Sequence, residues 1–460
     1  MTLFPIILAA GQGTRMRSST PKVLHTIGGK PMLQHVIESC QQLDVDKIAI
    51  IYGHGGEQVQ QVINTANITN NAETLVWIQQ KEQKGTGHAV AQAESYIDDD
   101  AVVIIAYGDV PLIKTEVLSQ LANKLEEATL VVLTVVQDDP TGYGRIVRNP
   151  QGKIESIIEH KDANQEQLEI KEVNTGFIAA RGRDLKRWLN DITPNNSQGE
   201  YYLTDCIALA VKEGGIVDAL VCDDPLEAEG VNDRIQQVKI ERAYQAMQAR
   251  KLLEAGVTLY DADRIDIRGK LEAGKDVCID VNNVFIGNVK LGNRVIIESG
   301  CVIKDAQIGD DCLVKANSVI DSAIIENNCD IGPFARVRPD TFIKENAKVG
   351  NFVEIKKSVI GKGSKVSHLS YIGDTQMGED VNIGAGTITC NYDGVNKHLT
   401  TIGDRVFIGS DSQLVAPVSI GDDATIGAGS TITKEAPAGE LTLSRSKQLT
   451  IKGWKKPQKK

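Results

Sequence analysis

The chain has 460 residues, 41% of them hydrophobic, enough for two or three domains with real cores and too apolar for disorder on a large scale. Its 50 basic and 61 acidic residues leave a net charge of −11, which argues against a general nucleic-acid or membrane-surface binder and means that an anionic ligand needs local positive charge. No run approaches the roughly 18 apolar residues of a membrane span, the apolar opening lacks a basic leader, and the eight cysteines show no C-x-x-C pairing, so the expectation is a soluble protein of the reduced cytoplasm.

Residues 1–226 alternate apolar β runs with helical stretches. Strands are expected at 4–10, 47–52, 75–78, 101–107 and 130–136, with helices between them such as 32–41 and 115–126, the alternation of a doubly wound α/β sheet. Ligands of such sheets sit at the carboxyl ends of strands. The first strand runs into Leu8, Ala9, Ala10, Gly11, Gln12, Gly13, Thr14, Arg15 and Met16, followed by Pro21 and Lys22. Met16 stands where a dinucleotide fingerprint has Gly, and the Gly-Lys-Ser/Thr ending of a P-loop is missing. By spacing alone the glycines make a plain turn or a phosphate loop; Arg15 and Lys22 add charge that a plain turn has no use for. Asp109, in Tyr107-Gly108-Asp109 after the fourth strand, suits a Mg²⁺ shared with a triphosphate, or else the cap of a helix.

Residues 227–255 hold no Pro and carry alternating charges around Ile235, Val238, Tyr244, Met247 and Leu252, which reads as one exposed helix joining two domains. Beyond it the rhythm changes. From Ile402 an aliphatic residue returns every sixth position, at Ile408, Leu414, Ile420, Ile426 and Ile432, and a smaller inward partner precedes most of them by two. That period fits neither an α-helix nor a long strand, but it fits a parallel β-helix of hexapeptide repeats. Traced backwards through one-residue slips, the ladder covers about 265–440, a prism about 40 Å tall at ~4.8 Å per coil. The Gly that often follows the aliphatic residue is expected to turn the corner. Cys301, Cys312 and Cys329 fall on small inward positions and read as core packing. The basic tail from Arg445 on reads as solvated or as an oligomer contact.

In this register Arg338 and Lys356 follow the inward Val337 and Ile355 and lie eighteen residues apart, so they stack on one corner of successive coils. Two cations ~5 Å apart repel by roughly 1–3 kcal/mol unless an anion such as phosphate bridges them or they splay into solvent. His368 and Tyr371 lie off the ladder, so His368 is not a core histidine but either a working residue or an idle surface one, and Asn382 points outward. Residues 390–398 break the rhythm and read as a projecting loop.

The N-terminal motifs resemble those of the sugar-nucleotide pyrophosphorylases, which open with the Gly-x-Gly-Thr-Arg-Met loop. The likeness continues through Gln80, Gly85-Thr86-Gly87-His88, Gly142-Tyr143-Gly144-Arg145, Glu159-His160-Lys161, Asn174-Thr175-Gly176 and Gly230-Val231-Asn232, and it points to the uridylyltransferase branch that uses N-acetylglucosamine 1-phosphate and UTP. The resemblance implies Leu8, Ala9, Ala10, Gly11, Lys22, Tyr107 and Gly108 around the nucleotide. Gln80, Gly85 and Thr86 then face the uracil, Gly144, Glu159 and Asn174 the sugar, and Asp109 and Asn232 hold Mg²⁺. Arg15 and Lys22 neutralise charge while the sugar phosphate attacks UTP, a reaction that needs positioning rather than a general base.

Residues 331–410 resemble the acetyltransferase domain of the bifunctional N-acetylglucosamine-1-phosphate uridylyltransferase and glucosamine-1-phosphate N-acetyltransferase family, through Gly332-Pro333-Phe334-Ala335-Arg336, Gly350-Asn351-Phe352-Val353-Glu354 and the run 382–394. This implies His368 as the general base that takes a proton from the glucosamine amine as it attacks acetyl-CoA. Arg338 and Lys356 then hold the phosphate of glucosamine 1-phosphate, and Tyr371 and Asn382 contact its sugar. Ala385, Asn391, Tyr392, Ser410, Ala428 and Arg445 line the acetyl-CoA groove. The family further implies a homotrimer and a product, UDP-N-acetylglucosamine, that feeds peptidoglycan and lipopolysaccharide synthesis. Two departures stand out: Gln12 where the family often has Lys, and Asp233 where Asn is common, the latter bearing on metal affinity.

The expected fold is an α/β N-terminal domain with a Rossmann-like nucleotidyltransferase sheet (1–226), a linker helix (227–255), and an all-β C-terminal left-handed parallel β-helix with a basic tail (256–460). The competing reading is another sugar-nucleotide pyrophosphorylase whose β-helix serves only assembly or allostery, and it leaves His368 and the stacked cations without a use. A non-catalytic sensor built from the same parts would be free to lose Arg15, Lys22 or Asp109, and all three are present.

Overall fold

The computed structural model describes residues 2–11, 13–53, 55–65, 74–196 and 198–459. The chain divides into two compact units, 1–244 and 245–460.

The first unit is built on a sheet whose strands run, from edge to edge, Val217–Val221, Leu130–Val136, Glu172–Arg181, Val102–Tyr107, Leu3–Ala9, Ile48–Tyr52 and Leu75–Gln79. The last four are mutually parallel, as the alternation of strands and helices requires, and their sequences are continuous apolar runs because both faces are covered. Side chains alternate between the two faces, so Ile7, Ile50 and Ile104 enter one core beneath the helices Met32–Gln41 and Thr115–Asn123. Ile6, Ile51 and Ile105 enter the other, with Val90, Leu185 and Ile207 of the opposite helices. The expected strands and helices are all found, their ends shifted by a residue or so and the helix at 115–126 finishing as a 3-10 turn from Lys124. Glu172–Arg181 was not expected. It runs antiparallel to both of its neighbours, and the hairpin Arg145–Arg148 with Ile154–Ile158 hangs from it through Arg145 opposite Val173.

The helix Arg234–Glu254 crosses the boundary between the two units, and it is not uniformly exposed. Ile235 and Val238 face solvent as expected, whereas Ile240, Tyr244, Ala249 and Leu252 are buried. In the first unit, Glu241 accepts the backbone N–H of Gly28 (2.8 Å) and Tyr244 stands edge-on to His35. In the second, Gln245 both donates to and accepts from the backbone of Ile267, and Ala249 and Leu252 join the core of the first coils. Asp233 accepts the N–H of Gln236 at the start of this helix, a cap of about 1 kcal/mol, so its carboxylate has a structural task.

The second unit is a parallel β-helix. One face is an eleven-stranded ladder from Thr258–Leu259 to Leu441–Thr442, and a seventeen-stranded sheet forms the rest. Every aliphatic ladder position read from the sequence is 5% exposed or less. Each such side chain contributes about 1.5–3 kcal/mol on burial, in addition to the backbone hydrogen bonds between coils. The ladder begins earlier than the pattern predicts, and eleven rungs at about 4.8 Å span about 48 Å rather than 40 Å.

Apart from Gly332 (φ 98°), the glycines after the aliphatic residues do not turn the corners. Gly403, Gly409 and Gly384 have ordinary negative φ; a Cβ there would lie 2.1 Å from Asp422 Oδ1, 2.4 Å from the Ala428 nitrogen and 2.5 Å from the Ser410 nitrogen. They are glycine because the next coil passes too close for a side chain. The left-handed turn comes two residues later, at Asp411 (φ 57°), Arg405 (φ 56°) and Asp423 (φ 59°), where short or locally bonded side chains tolerate it. Aspartates between glycine and turn stitch coils together: Asp404 Oδ1 accepts the Glu379 N–H, and Asp422 Oδ1 accepts the Asp404 N–H.

Among the described residues, no helix is long and apolar enough to cross a membrane, and the eight cysteines are free thiols. Cys301, Cys312 and Cys329 are buried in the coil interior.

Candidate active sites

In the first unit, parallel strands end side by side, and their terminal residues enclose a cavity of about 440 Å³. Leu8, Ala9, Ala10 and Gly11 form one wall, Gln80, Gly85 and Thr86 a second, and Tyr107, Asp109 and Asn232 a third, with Lys22 reaching between them. The Lys22 ammonium donates to Asp109 Oδ2 and, at 3.2 Å, to Asn232 Oδ1. Two oxygens that share one ammonium lie within reach of one small cation, and a carboxylate with one amide oxygen suits Mg²⁺, which keeps several waters. The Asn232 loop is fixed from both sides. Val231 donates its N–H to the backbone of Asp109 (2.9 Å), and Gln236 accepts that of Asn232 (2.7 Å).

Gln80 is almost wholly buried, its amide donating to the Gly85 carbonyl and lying 3.0 Å from His88 Nδ1. Gly85 has φ 108°, and a Cβ would lie 2.5 Å from the Tyr201 carbonyl, so no other residue fits there. Gly144, Glu159 and Asn174 do not line the cavity wall but form a cluster beside it. Asn174 donates its N–H to Gly144 O (2.9 Å), and Glu159 lies against Gly144. Burial, with Asp162 and Asp205 nearby, raises the Glu159 carboxyl above its usual range, and burial followed by the charge of Asp109 raises the Tyr107 hydroxyl. Gly108 is packed against Leu33 and Ala9. Arg15 is exposed on the 3-10 turn Thr14–Met16 and does not line this cavity, contrary to the expectation of two cations at one place. Gln12 lies outside the described residues.

In the second unit, Asn351 and His368 are register partners on adjacent coils, and His368 Nδ1 is 2.6 Å from Asn351 Oδ1. An amide oxygen only accepts, so Nδ1 carries the hydrogen, and the lone pair of the neutral ring is on Nε2. The register continues upward. Val366 pairs with Ile383, Ile383 with Ile408 and Ile408 with Ile426, which places Ala385, Ser410 and Ala428, two residues beyond each, in one column above His368. Arg445 closes the column by donating to the Ala428 carbonyl (2.7 Å). Asn382 stands on this same face, between Lys365 and Phe407.

Arg338 and Lys356 do fall in register on successive coils, beside Val337 and Ile355. The two cations need no bridging anion to offset their repulsion, because each stands beside a different carboxylate: Arg338 donates to Glu354 (2.8 Å), which Arg336 also approaches (3.8 Å), and Lys356 lies 3.9 Å from Asp374. Asp374 also accepts from the Asn391 amide, and the Tyr371 hydroxyl and that amide overlie Gly373, where a Cβ would lie 2.4 Å and 2.9 Å from them. Tyr371, Asn391, Lys356 and Asp374 are thus one cluster, so Asn391 stands with the cations rather than with the Ala385 column. Tyr392 is exposed on the loop beyond. The loop returns Lys397 to this cluster, where the neighbouring Lys356 holds its ammonium below the usual range.

Comparison with known proteins follows the same division. Residues 5–167 match the MobA-like NTP transferase domain, and 305–339 and 399–434 match the bacterial transferase hexapeptide repeats. The bifunctional protein GlmU of Marinobacter nauticus is 52% identical over 457 residues, 99% of each chain. The chain belongs to the bifunctional GlmU family. Its first unit is accordingly a uridylyltransferase and its second an acetyltransferase. Solved structures similar to part of this GlmU-family chain, each at 20% identity, include a glucose-1-phosphate thymidylyltransferase from Bacillus anthracis (TM-score 0.42, 52% of this chain and 94% of that one). A UDP-glucose pyrophosphorylase solved with UDP-glucose (0.44, 53% and 98%) and HddC from Yersinia pseudotuberculosis (0.41, 52% and 99%) are others.

Several residues of this GlmU-family chain escaped the sequence reading. Tyr143, Thr175 and Gly230 line the first cavity and lay inside motifs already noted; Gln83 and Glu200 line it with no motif to mark them. Asn351 lay inside a motif already noted, with no role given to it, seventeen residues before His368, one coil less a slip.

Proposed function

We propose that the chain acetylates glucosamine 1-phosphate with acetyl-CoA and then transfers UMP from UTP to the resulting N-acetylglucosamine 1-phosphate, releasing pyrophosphate. The observation that carries this reading is the presence, on one chain, of two differently built sites: an ammonium shared by Asp109 and Asn232 inside a cavity, and an oriented imidazole at the foot of a column of small residues.

In the second unit, His368 Nε2 takes the proton as the amine attacks the thioester carbonyl; the C–N bond forms, the C–S bond breaks and CoA leaves. Asn351 holds the ring in the tautomer that makes Nε2 the base. Arg338, Lys356 and Lys397 give the sugar phosphate its counter-charge, Tyr371, Asn382 and Asn391 contact the sugar, and Ala385, Tyr392, Ser410, Ala428 and Arg445 take acetyl-CoA.

In the first unit, a phosphate oxygen of N-acetylglucosamine 1-phosphate attacks the α-phosphorus of UTP and the bond to the β-phosphate breaks. Leu8, Ala9, Ala10 and Gly11 present backbone to the nucleotide, and Gln80, Gly85 and Thr86 read the uracil. Gly144, Glu159 and Asn174 face the sugar, while Lys22 brings positive charge to the phosphates. Mg²⁺, held by Asp109 and Asn232, supplies charge neutralisation of the triphosphate when bound.

The working form is a cytoplasmic homotrimer. Phe334 and Phe352 stack at 5.3 Å on successive corners, 49% and 56% exposed, and Leu369 is 62% exposed at the next. All three adopt the left-handed turn, where Asn317 and Asp411 serve on other coils. The fold has no use for large apolar residues there, at a cost of about 1 kcal/mol each in backbone strain, and a second subunit face does.

A reaction containing glucosamine 1-phosphate, acetyl-CoA, UTP and Mg²⁺ tests both halves together. Chelating the metal is expected to abolish pyrophosphate release and leave CoA release within about twofold, and restoring Mg²⁺ to recover it. Pyrophosphate release that survives chelation contradicts the metal assignment.

A further inference from the structure

The loop 391–399 carries its own bracing, which neither reaction above uses. Asp393 is at its centre. One carboxylate oxygen accepts the N–H groups of Val395 and Asn396 (2.8 and 2.7 Å), and the other meets His398 Nε2 at 2.7 Å. The backbone closes as well: His398 donates its N–H to Asn391 O (2.8 Å), Asp393 donates to Asn396 O (3.1 Å), and Tyr392 bridges Lys397. At its root, the Asn391 amide is tied to Asp374.

Lys397 therefore sits between two fixed points, the turn at Val395 and Asn396 and the His398–Asp393 contact. Lys397 lines one cavity with His398 and Asp374, the carboxylate 3.9 Å from Lys356, and the Lys356 ammonium is close enough to hold that of Lys397 below its usual range. Two ammonium groups and one carboxylate leave a single net positive charge, while Arg338 shares Glu354 with Arg336. The groups facing His398 across the adjoining cavity are Asp340 and Lys357, Asp374, and Lys397 of its own loop, and among the described residues the ring is hydrogen-bonded to Asp393.

We infer that His398 and Asp393 are positioning residues for acetyl transfer: their contact locks the loop 391–399 and holds the Lys397 ammonium beside Lys356, so that the seat for a phosphate monoester dianion is formed before substrate arrives. The inference rests on the acetyl-transfer reading above. A preformed seat lowers KM for the sugar phosphate and leaves the chemistry at His368 alone, because the phosphate is bound equally in ground and transition states.

The test measures CoA release against glucosamine 1-phosphate concentration in the full-length chain and in His398→Ala, His398→Gln, Lys397→Ala and the double variant His398→Ala/Lys397→Ala. His398→Ala is expected to raise KM about tenfold with kcat within twofold. His398→Gln, whose amide can still donate to Asp393, is expected to recover most of that loss. Because His398 acts through Lys397, the double variant should match Lys397→Ala alone. Pyrophosphate release from N-acetylglucosamine 1-phosphate and UTP, a reaction of the other unit, reports that each variant is folded. An unchanged KM in His398→Ala, no recovery in His398→Gln, or multiplying effects in the double variant overturns the inference. Absence of CoA release from the unsubstituted chain overturns the acetyl-transfer reading instead, so the two failures are told apart.

Discussion

Asp109→Ala is expected to lower uridylyl transfer, read as pyrophosphate release from N-acetylglucosamine 1-phosphate and UTP, by about a thousandfold while CoA release stays within about twofold. The carboxylate has two tasks. It supplies the only charged oxygen of the Asp109 and Asn232 pair, and it neutralises Lys22, whose side chain is 13% exposed. A metal ion on a transferring phosphoryl group contributes several kcal/mol, and a loss of about 4 kcal/mol corresponds to about a thousandfold in rate. The fold around it should persist, since Val231 is anchored to the backbone carbonyl of Asp109 rather than to its side chain. Asp109→Asn keeps one oxygen and loses the charge, so it should fall between the two. Near-normal pyrophosphate release by Asp109→Ala contradicts the role given to the carboxylate.

The reciprocal result is expected from His368→Ala: CoA release falls about 10²- to 10⁴-fold, the usual contribution of a positioned general base, with uridylyl transfer retained. His368 is exposed and contributes little to the coil beneath it, so the change should not unfold the β-helix. KM for acetyl-CoA should change little, because Ala385, Ser410, Ala428 and Arg445 are untouched. Loss of both activities together contradicts the assignment of the base to one reaction.

These expectations rest on features that differ in how far the sequence revealed them. The solenoid was legible because one inward residue per six is a periodic demand, which the ladder from Ile279 to Ile432 meets apart from one-residue slips and the loop at 390–398. Its corners were not, because glycine has two uses. At Gly403 and Gly409 the need is room for the next coil, and the turning is done by Arg405 and Asp411. The parallel strands announced themselves as apolar runs ending in motifs. Glu172–Arg181 did not, since its first half lies among polar groups and only Phe177 to Ala180 reads as buried strand. The helix Arg234–Glu254 looked exposed because its apolar residues serve two separate cores and make no single stripe.

The sites follow the same logic. Lys22, Asp109 and Asn232 sit at the ends of local motifs, and the topology of the sheet brings them to one cation-sized space. Arg15 belongs to the same motif, yet its turn points it to solvent. Arg338 and Lys356 were placed by counting eighteen residues, but Glu354 and Asp374 could not be named as their partners from a count alone. Lys397 depends on the path of a loop outside the repeat, which no periodicity describes.

Two differently built sites on one chain are proposed to work independently of each other. The most direct test of this claim mixes separately prepared Asp109→Ala and His368→Ala proteins with glucosamine 1-phosphate, acetyl-CoA, UTP and Mg²⁺, and follows UDP-N-acetylglucosamine. Neither protein alone should form it at an appreciable rate, and the mixture should, after a lag in which acetylated sugar phosphate accumulates. A mixture that forms none, although each protein retains its own half-reaction, would contradict the claim.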